Sequence, residues 1–131
     1  TSKNAYAFLD IIRPQKAIFI ISEYWLNYLS ELKKREIPTY LISAIIKDNA
    51  PFFKWYGSLF KKSLNTFTHF MVLNKKSESN LNKLGYFNVS LTGDPLFDNA
   101  IAVASTPWKD DIIEGFAGQR DLFIAGTIKK I

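Results

Sequence analysis

The chain has 131 residues, of which 47% are apolar, 15% aromatic and 22% charged; this is ample for a packed core and excludes a disordered or low-complexity chain. It has no cysteine and one histidine, His69, so disulfide scaffolds, thiol nucleophiles, Cys-built zinc sites and His-rich metal clusters are excluded. Seventeen Lys and Arg against twelve Asp and Glu leave a formal charge of +5, which favours anionic partners such as phosphates or acidic lipid surfaces without choosing among them.

Hydrophobic periodicity gives an alternation of helices and strands. Residues 4–12 place Ala5, Phe8, Leu9 and Ile12 at helical spacing, and Pro14 ends the segment. Residues 17–21 form the longest apolar run, of strand length and far short of the roughly 20 residues of a membrane span. Its β-branched composition predicts a strand buried on both faces. Residues 23–35 predict a helix with Trp25, Leu26, Tyr28, Leu29 and Leu32 inward, Ser22 as N-cap and Glu23 in the first turn. Residues 39–43 read as the next strand.

Residues 51–65 predict one amphipathic helix. Phe52, Trp55, Tyr56, Leu59, Phe60 and Leu64 share a face, and Lys54, Lys61 and Lys62 lie opposite. Pro51 suits its first position, and Phe53 falls off the apolar face. Residues 67–73 read as a strand. Residues 76–84 read as a helix, with Ser77 as a candidate cap and Gly85 as its stop. Strand 88–91, helices 95–104 and 109–116, and a last strand over 122–125 complete the pattern. Strands alternating with helices at this interval imply βαβ units, a parallel sheet flanked by helices and a Rossmann-like α/β fold. Such sheets bind ligands at the carboxyl ends of their strands. A chain that stops just past a strand, at Gly126-Thr127, reads as an interrupted domain.

No stand-alone catalytic motif is present, and with one His and no Cys the carboxylates are the remaining acids and bases. Glu23 can be a cleft carboxylate that binds a hydroxyl or a first-turn Glu complementing the helix dipole; position alone favours the second. Gly93 and Asp94 make a strand-to-helix turn, with Gly93 suited to positive φ and Asp94 to capping the helix that Pro95 opens; Asp98 follows one turn later. The aromatic and basic mixture of 51–64 fits a core-facing helix, an interfacial membrane helix or a stacking platform for single-stranded nucleic acid. His69, between Thr68 and Phe70, reads as a partly buried structural histidine.

Several segments, in order, resemble one family. They are Ser22-Glu23-Tyr24-Trp25-Leu26-Asn27-Tyr28-Leu29, Ile37-Pro38-Thr39-Tyr40-Leu41-Ile42-Ser43-Ala44-Ile45-Ile46, Pro51-Phe52-Phe53-Lys54-Trp55-Tyr56-Gly57, Asn88-Val89-Ser90-Leu91-Thr92-Gly93-Asp94-Pro95-Leu96-Phe97-Asp98 and Leu122-Phe123-Ile124-Ala125-Gly126-Thr127. Together they resemble 3-deoxy-D-manno-octulosonic acid (Kdo) transferase, which adds Kdo to the lipid A precursor, in the form carried by Bacteroidetes. The resemblance implies a GT-B enzyme of two Rossmann-like domains facing one cleft. Residues 1–105 correspond to the second half of the acceptor-binding N-terminal domain, and 106–131 to the linker and first strand of the donor-binding domain. The family's general-base Glu, in an S-V-G-E segment, has no counterpart in this chain, and most of the CMP-Kdo site would lie beyond it. The chain alone is then expected to be inactive.

The resemblance further implies no metal and no resident cofactor. It implies Glu23 as the motif glutamate and Ser43, Gly93 and Asp94 as cleft turns. Phe52, Phe53, Lys54, Trp55, Lys61 and Lys62 become the acceptor- and membrane-facing set. The implied partners are the lipid A precursor, the anionic cytoplasmic face of the inner membrane and the rest of the enzyme, not nucleic acid. An incomplete sheet would also self-associate, with strand 122–125 pairing between chains. Three positions depart from the family pattern. Ile21 stands where a polar residue is usual, Leu96 where the G-S/D-x-K/R-F-D motif carries a cation, and Ile128 where many members have Trp. The alternative is a self-contained basic α/β module that binds a phosphorylated ligand or nucleic acid without catalysis.

Overall fold

Thr1 starts helix α1 (Ser2–Ile12), its hydroxyl accepting a hydrogen bond from the Asn4 amide 3.3 Å away. The helix stops where Arg13 turns left-handed, with Pro14 behind it. In this computed structural model, which describes residues 1–106, 109–118 and 123, four strands follow: β1 (Ala17–Ile20), β2 (Thr39–Ala44), β3 (His69–Val72) and β4 (Val89–Leu91). Between them lie α2 (Leu26–Lys34), a 3-10 turn (Pro51–Phe53), α3 (Ser58–Leu64) and α4 (Lys75–Lys83). Helices α5 (Pro95–Ala104) and α6 (Asp111–Ala117) come after β4.

All pairings are parallel, in the order β1-β2-β3-β4. Consecutive parallel neighbours require a crossover between each pair, and α2, α3 and α4 supply it. The α/β class expected from the periodicity is the one formed. Register places Phe19, Leu41, Phe70 and Val89 in one row across the sheet. Leu41 and Phe70 are fully buried in a core with Leu29 of α2, Leu64 of α3 and Leu81 of α4.

The opposite face differs from expectation. Ile18 and Ile20 are 61% and 53% exposed, so β1 alternates instead of being buried on both faces. Their row-mates Tyr40, Ile42 and His69 are half-buried. The physical reason is that β1 is an edge strand and the core helices α2, α3 and α4 pack on the Phe19 face.

Three helix starts also differ. Helix α2 begins at Leu26 with Trp25 as N-cap and no side-chain cap, so Ser22 is not the cap and Glu23 is not in the first turn. Ile21 turns left-handed (φ 66°) after β1, and the next residues close a turn before the helix can start. Segment 51–65 is not one helix. The 3-10 turn ends at an extended Lys54, and α3 begins only after Gly57. A Cβ on Gly57 would lie 1.8 Å from the Pro51 carbonyl oxygen, so the chain doubles back on itself there and only glycine fits. Helix α4 is capped by Asn74, whose Oδ1 accepts from the Ser77 amide at 2.8 Å, and not by Ser77. Gly85 (φ 92°) stops it as expected.

The chain divides into two compact units, Thr1–Pro95 and Leu96–Ile131. The first holds the sheet and its core. In the second, the described helices bury no side chain, and Asp110 caps α6 by accepting from the Ile112 and Ile113 amides. Apart from Phe123, the strand expected over 122–125 and the turn after it lie outside the described residues.

Candidate functional site

With every strand parallel, the carboxyl ends of β1 to β4 lie along one edge of the sheet, where α/β folds bind ligands. Two strands end there in unusual backbone. Ile21 after β1 and Ser43 within β2 are both left-handed (φ 66° and 53°), and the β2–β3 register shifts between Leu41 and Ala44. Side chains and strained backbone at this edge are held by specific bonds. The Ser22 hydroxyl donates to the Ile45 carbonyl at 3.3 Å, joining the turn after β1 to that after β2.

The turn after β2 is fastened to α4. The Ile46 amide donates to Ser77 Oγ at 3.0 Å, and Asn80 Nδ2 donates both to the Ile46 carbonyl and to Asp48 Oδ1, each at 2.9 Å. Ser77 and Asn80 are buried, so these bonds satisfy groups that water cannot reach. Asp48 Oδ2 also meets Lys76 Nζ at 2.6 Å. The hydrogen bond from Lys76, then that from Asn80, holds the Asp48 carboxyl below its ordinary value. These groups bound a cavity of about 410 Å³ lined by residues 45–49, Asn74, Lys76 and Ser77. Lys47, Lys76 and the amino end of α4 bring positive potential to it, and Asp48, Asn49 and Asn74 bring acceptors. That mixture suits a ligand carrying hydroxyls and an anionic group.

Glu23 lies beside this rim, exposed, with Oε2 accepting from the Trp25 indole at 2.7 Å. The bond fixes one carboxylate oxygen and leaves the second available to a ligand hydroxyl. Glu23 and the pair Gly93–Asp94 thus follow β1 and β4, and Ser43 is next to last in β2, all at the carboxyl ends of their strands; Gly93 takes the positive φ foreseen for it (74°). Tyr24 sits next to Glu23 with its ring 4.9 Å from that of Phe52. Its hydroxyl is buried near Ser22 without a well-formed hydrogen bond, and burial pushes its pKa up.

The proposed membrane-facing set is split by the structure. Phe52 is 5% exposed and Phe53 is half-buried against the core, so neither faces outward; the 3-10 turn that ends at Lys54 brings both rings to the core. Trp55, by contrast, is 94% exposed and stacks edge-on with Tyr56 at 5.6 Å. Lys54, Lys61 and Lys62 are exposed as well. His69 is half-buried on the open sheet face, its Nε2 2.8 Å from Ser90 Oγ, in keeping with a structural role. Leu96, where the family pattern has a cation, is 72% exposed.

Asp48, Lys76, Ser77 and Asn80 escaped the sequence reading. The available signal was α4 itself: Ser77, Asn80 and Leu81 share one helical face, and polar residues on an apolar stripe need buried partners. No described helix is long and apolar enough to cross a membrane. Comparison with curated proteins and with solved structures finds no match. A family model described as 3-deoxy-D-manno-octulosonic-acid transferase (kdotransferase) matches residues 1–99, three quarters of the chain and all of the sheet and rim just described. The chain therefore belongs to the Kdo transferase family of glycosyltransferases.

Proposed function

We propose that this chain is the acceptor-side part of a glycosyltransferase that moves Kdo from CMP-Kdo to a lipid A precursor at the cytoplasmic face of the inner membrane. The observation that carries this reading is the family match over the unit whose strand ends form the rim. In the reading, Glu23 orients an acceptor hydroxyl, and the Trp25 indole selects its rotamer. Lys47 and Lys76 attract the acceptor's phosphate to the cavity between β2 and α4. Lys54, Trp55, Lys61 and Lys62 rest on the anionic membrane, which positions the acceptor's sugar at the rim.

The general base and the donor site belong to the rest of the enzyme, so the chain is completed by that partner before it transfers sugar. The test is a Kdo transfer assay with CMP-Kdo and a lipid A precursor. The full-length protein is expected to form product, the isolated chain none, and Glu23→Gln in the full-length protein is expected to slow transfer at least tenfold, as loss of an orienting carboxylate does. Product from the isolated chain would overturn its incompleteness, and no product from the full-length protein would overturn the activity. Leu96 sets a further point of comparison: Leu96→Arg restores the family cation and is expected to raise the rate, because a cation at that place neutralises developing phosphate charge.

A further inference from the structure

We propose that the groove between α2 and α3 holds the headgroup of an anionic phospholipid, as a site separate from the rim. This deepens the membrane reading above and rests on it. The groove has a volume of about 410 Å³ and lies on the outer, helical side of the first unit. Its polarity is graded along its length. Leu26 opens α2 and Leu59 stands in the first turn of α3, whereas Lys33, Lys34 and Lys62 come from the last turns of the two helices. Both helices cross back over a parallel sheet between neighbouring strands, so they run the same way. The groove is therefore apolar at one end and cationic at the other.

Part of the charge there is unpaired. Lys34 pairs with Glu31 at 3.3 Å, and Glu31 also meets Arg35, which pairs in turn with Asp10 at 3.9 Å. Lys33 and Lys62 have no ion-pair partner among the described residues. Lysines in a last turn also complement the helix dipole, but that role does not bring the ends of two helices to one groove. Ser30, between the lysines and the leucines, has a hydroxyl with no partner among the described residues.

The apolar end continues into the surface that most resembles an interfacial anchor. Leu59 is 62% exposed and follows the Trp55–Tyr56 ring pair by one turn of chain. A free phosphorylated metabolite would use the lysines and leave this apolar end unmatched. A phospholipid uses both: its acyl carbons stay with Leu26, Leu59 and Trp55 at the bilayer, and its phosphate reaches the lysines.

The experiment is flotation of the full-length protein with vesicles of phosphatidylglycerol and of phosphatidylcholine. Binding to the anionic vesicles is expected to weaken about fivefold for each of Lys33→Gln and Lys62→Gln, the equivalent of one lysine at an anionic surface. Lys3→Gln and Lys83→Gln, each of which lowers net charge by the same amount on another helix, are expected to leave binding unchanged. Equal weakening by that control pair would overturn the groove in favour of diffuse attraction. Vesicle binding that depends on Trp55 but ignores both groove lysines would overturn the groove and keep the membrane face. No binding to either vesicle would overturn the membrane face, and the groove with it. Release from vesicles by soluble glycerol 3-phosphate would show a metabolite site and overturn the lipid assignment.

Discussion

Ile21, just past β1, and Ser43, next to last in the neighbouring β2, share the same left-handed backbone, one residue after the paired Ile20 and Ile42. For serine this is a modest cost. For isoleucine, branched at Cβ, it is a true outlier, costing on the order of 1–3 kcal/mol. The Ile21 amide is held in place by the Ile42 carbonyl at 2.9 Å, and the side chain is 53% exposed. Ile21→Gly keeps that bond, loses little burial and removes the strain. Urea denaturation is expected to show a gain of about 1 kcal/mol after glycine's own entropy cost is deducted. Ile21→Val should gain nothing. A loss with glycine would mean the side chain supports the turn.

Gly57 is the converse case, a glycine demanded by space. Its φ of −83° suits any residue, but the Pro51 carbonyl occupies the place of a Cβ. Gly57→Ala must push the 3-10 turn away from α3 and dislodge Phe52 from the core. A destabilisation of about 1–3 kcal/mol or more is expected from such overpacking, read as a lower thermal midpoint and altered near-ultraviolet dichroism. Wild-type stability would show that the turn and helix separate without strain.

The same turn explains which parts of the site were legible in the sequence. The strands, the parallel sheet and the turn at Gly93–Asp94 follow from local periodicity and punctuation, because buried β-branched runs and Gly or Pro stops act within a few residues. The break inside 51–65 does not. The pattern of Phe52, Tyr56, Phe60 and Leu64 satisfies helical spacing, yet Gly57 permits a close approach that a helix would not use. The network of Ser77, Asn80 and Asp48 joins residues about thirty positions apart, so no local pattern announces it. The open face of β1 was likewise hidden, since a run such as Ala-Ile-Phe-Ile reads alike in a central strand and in an edge strand.

Phe52 and Trp55 should separate stability from surface function. Phe52→Ala empties a core position beside Tyr24 and is expected to cost about 3–5 kcal/mol. Trp55→Ala removes a ring that is almost wholly exposed and should leave the denaturation midpoint unchanged while weakening vesicle binding. A large stability loss from Trp55→Ala would place that ring in a contact inside the protein.

Asp48 provides a pH test of the β2–α4 clasp. Its folded pKa lies below the ordinary 3.8 because Lys76, and after it Asn80, hydrogen-bonds the charged form. A depressed folded pKa contributes stability that is fully present above the unfolded value and is lost as pH falls through the folded one. The clasp is therefore complete at neutral pH and opens only in acid below 3.8. Carboxyl titration by NMR is expected to show Asp48 moving up toward its ordinary value in Lys76→Gln. An unchanged Asp48 titration would mean that the ion pair is not maintained in solution.

The uncovered edge of β1 should govern association. Ile18 and Ile20 are more than half exposed on the open face, and beside them runs an apolar groove of about 500 Å³ lined by Phe8, Ile12, Trp25 and Tyr28. An unpaired strand edge next to apolar surface is a template for another chain. The isolated chain is expected to self-associate with rising concentration in sedimentation equilibrium. Ile18→Lys places a charge on the open face without touching the Phe19 row that faces the core, so it should shift the chain toward monomer while keeping its helical and strand content. A wild-type chain that stays monomeric at high concentration would mean that this edge is satisfied within the molecule. Association that survives Ile18→Lys would move the contact elsewhere, with the exposed apolar residues of α5 and α6, such as Phe97, Ile101 and Phe116, as the next surface to charge.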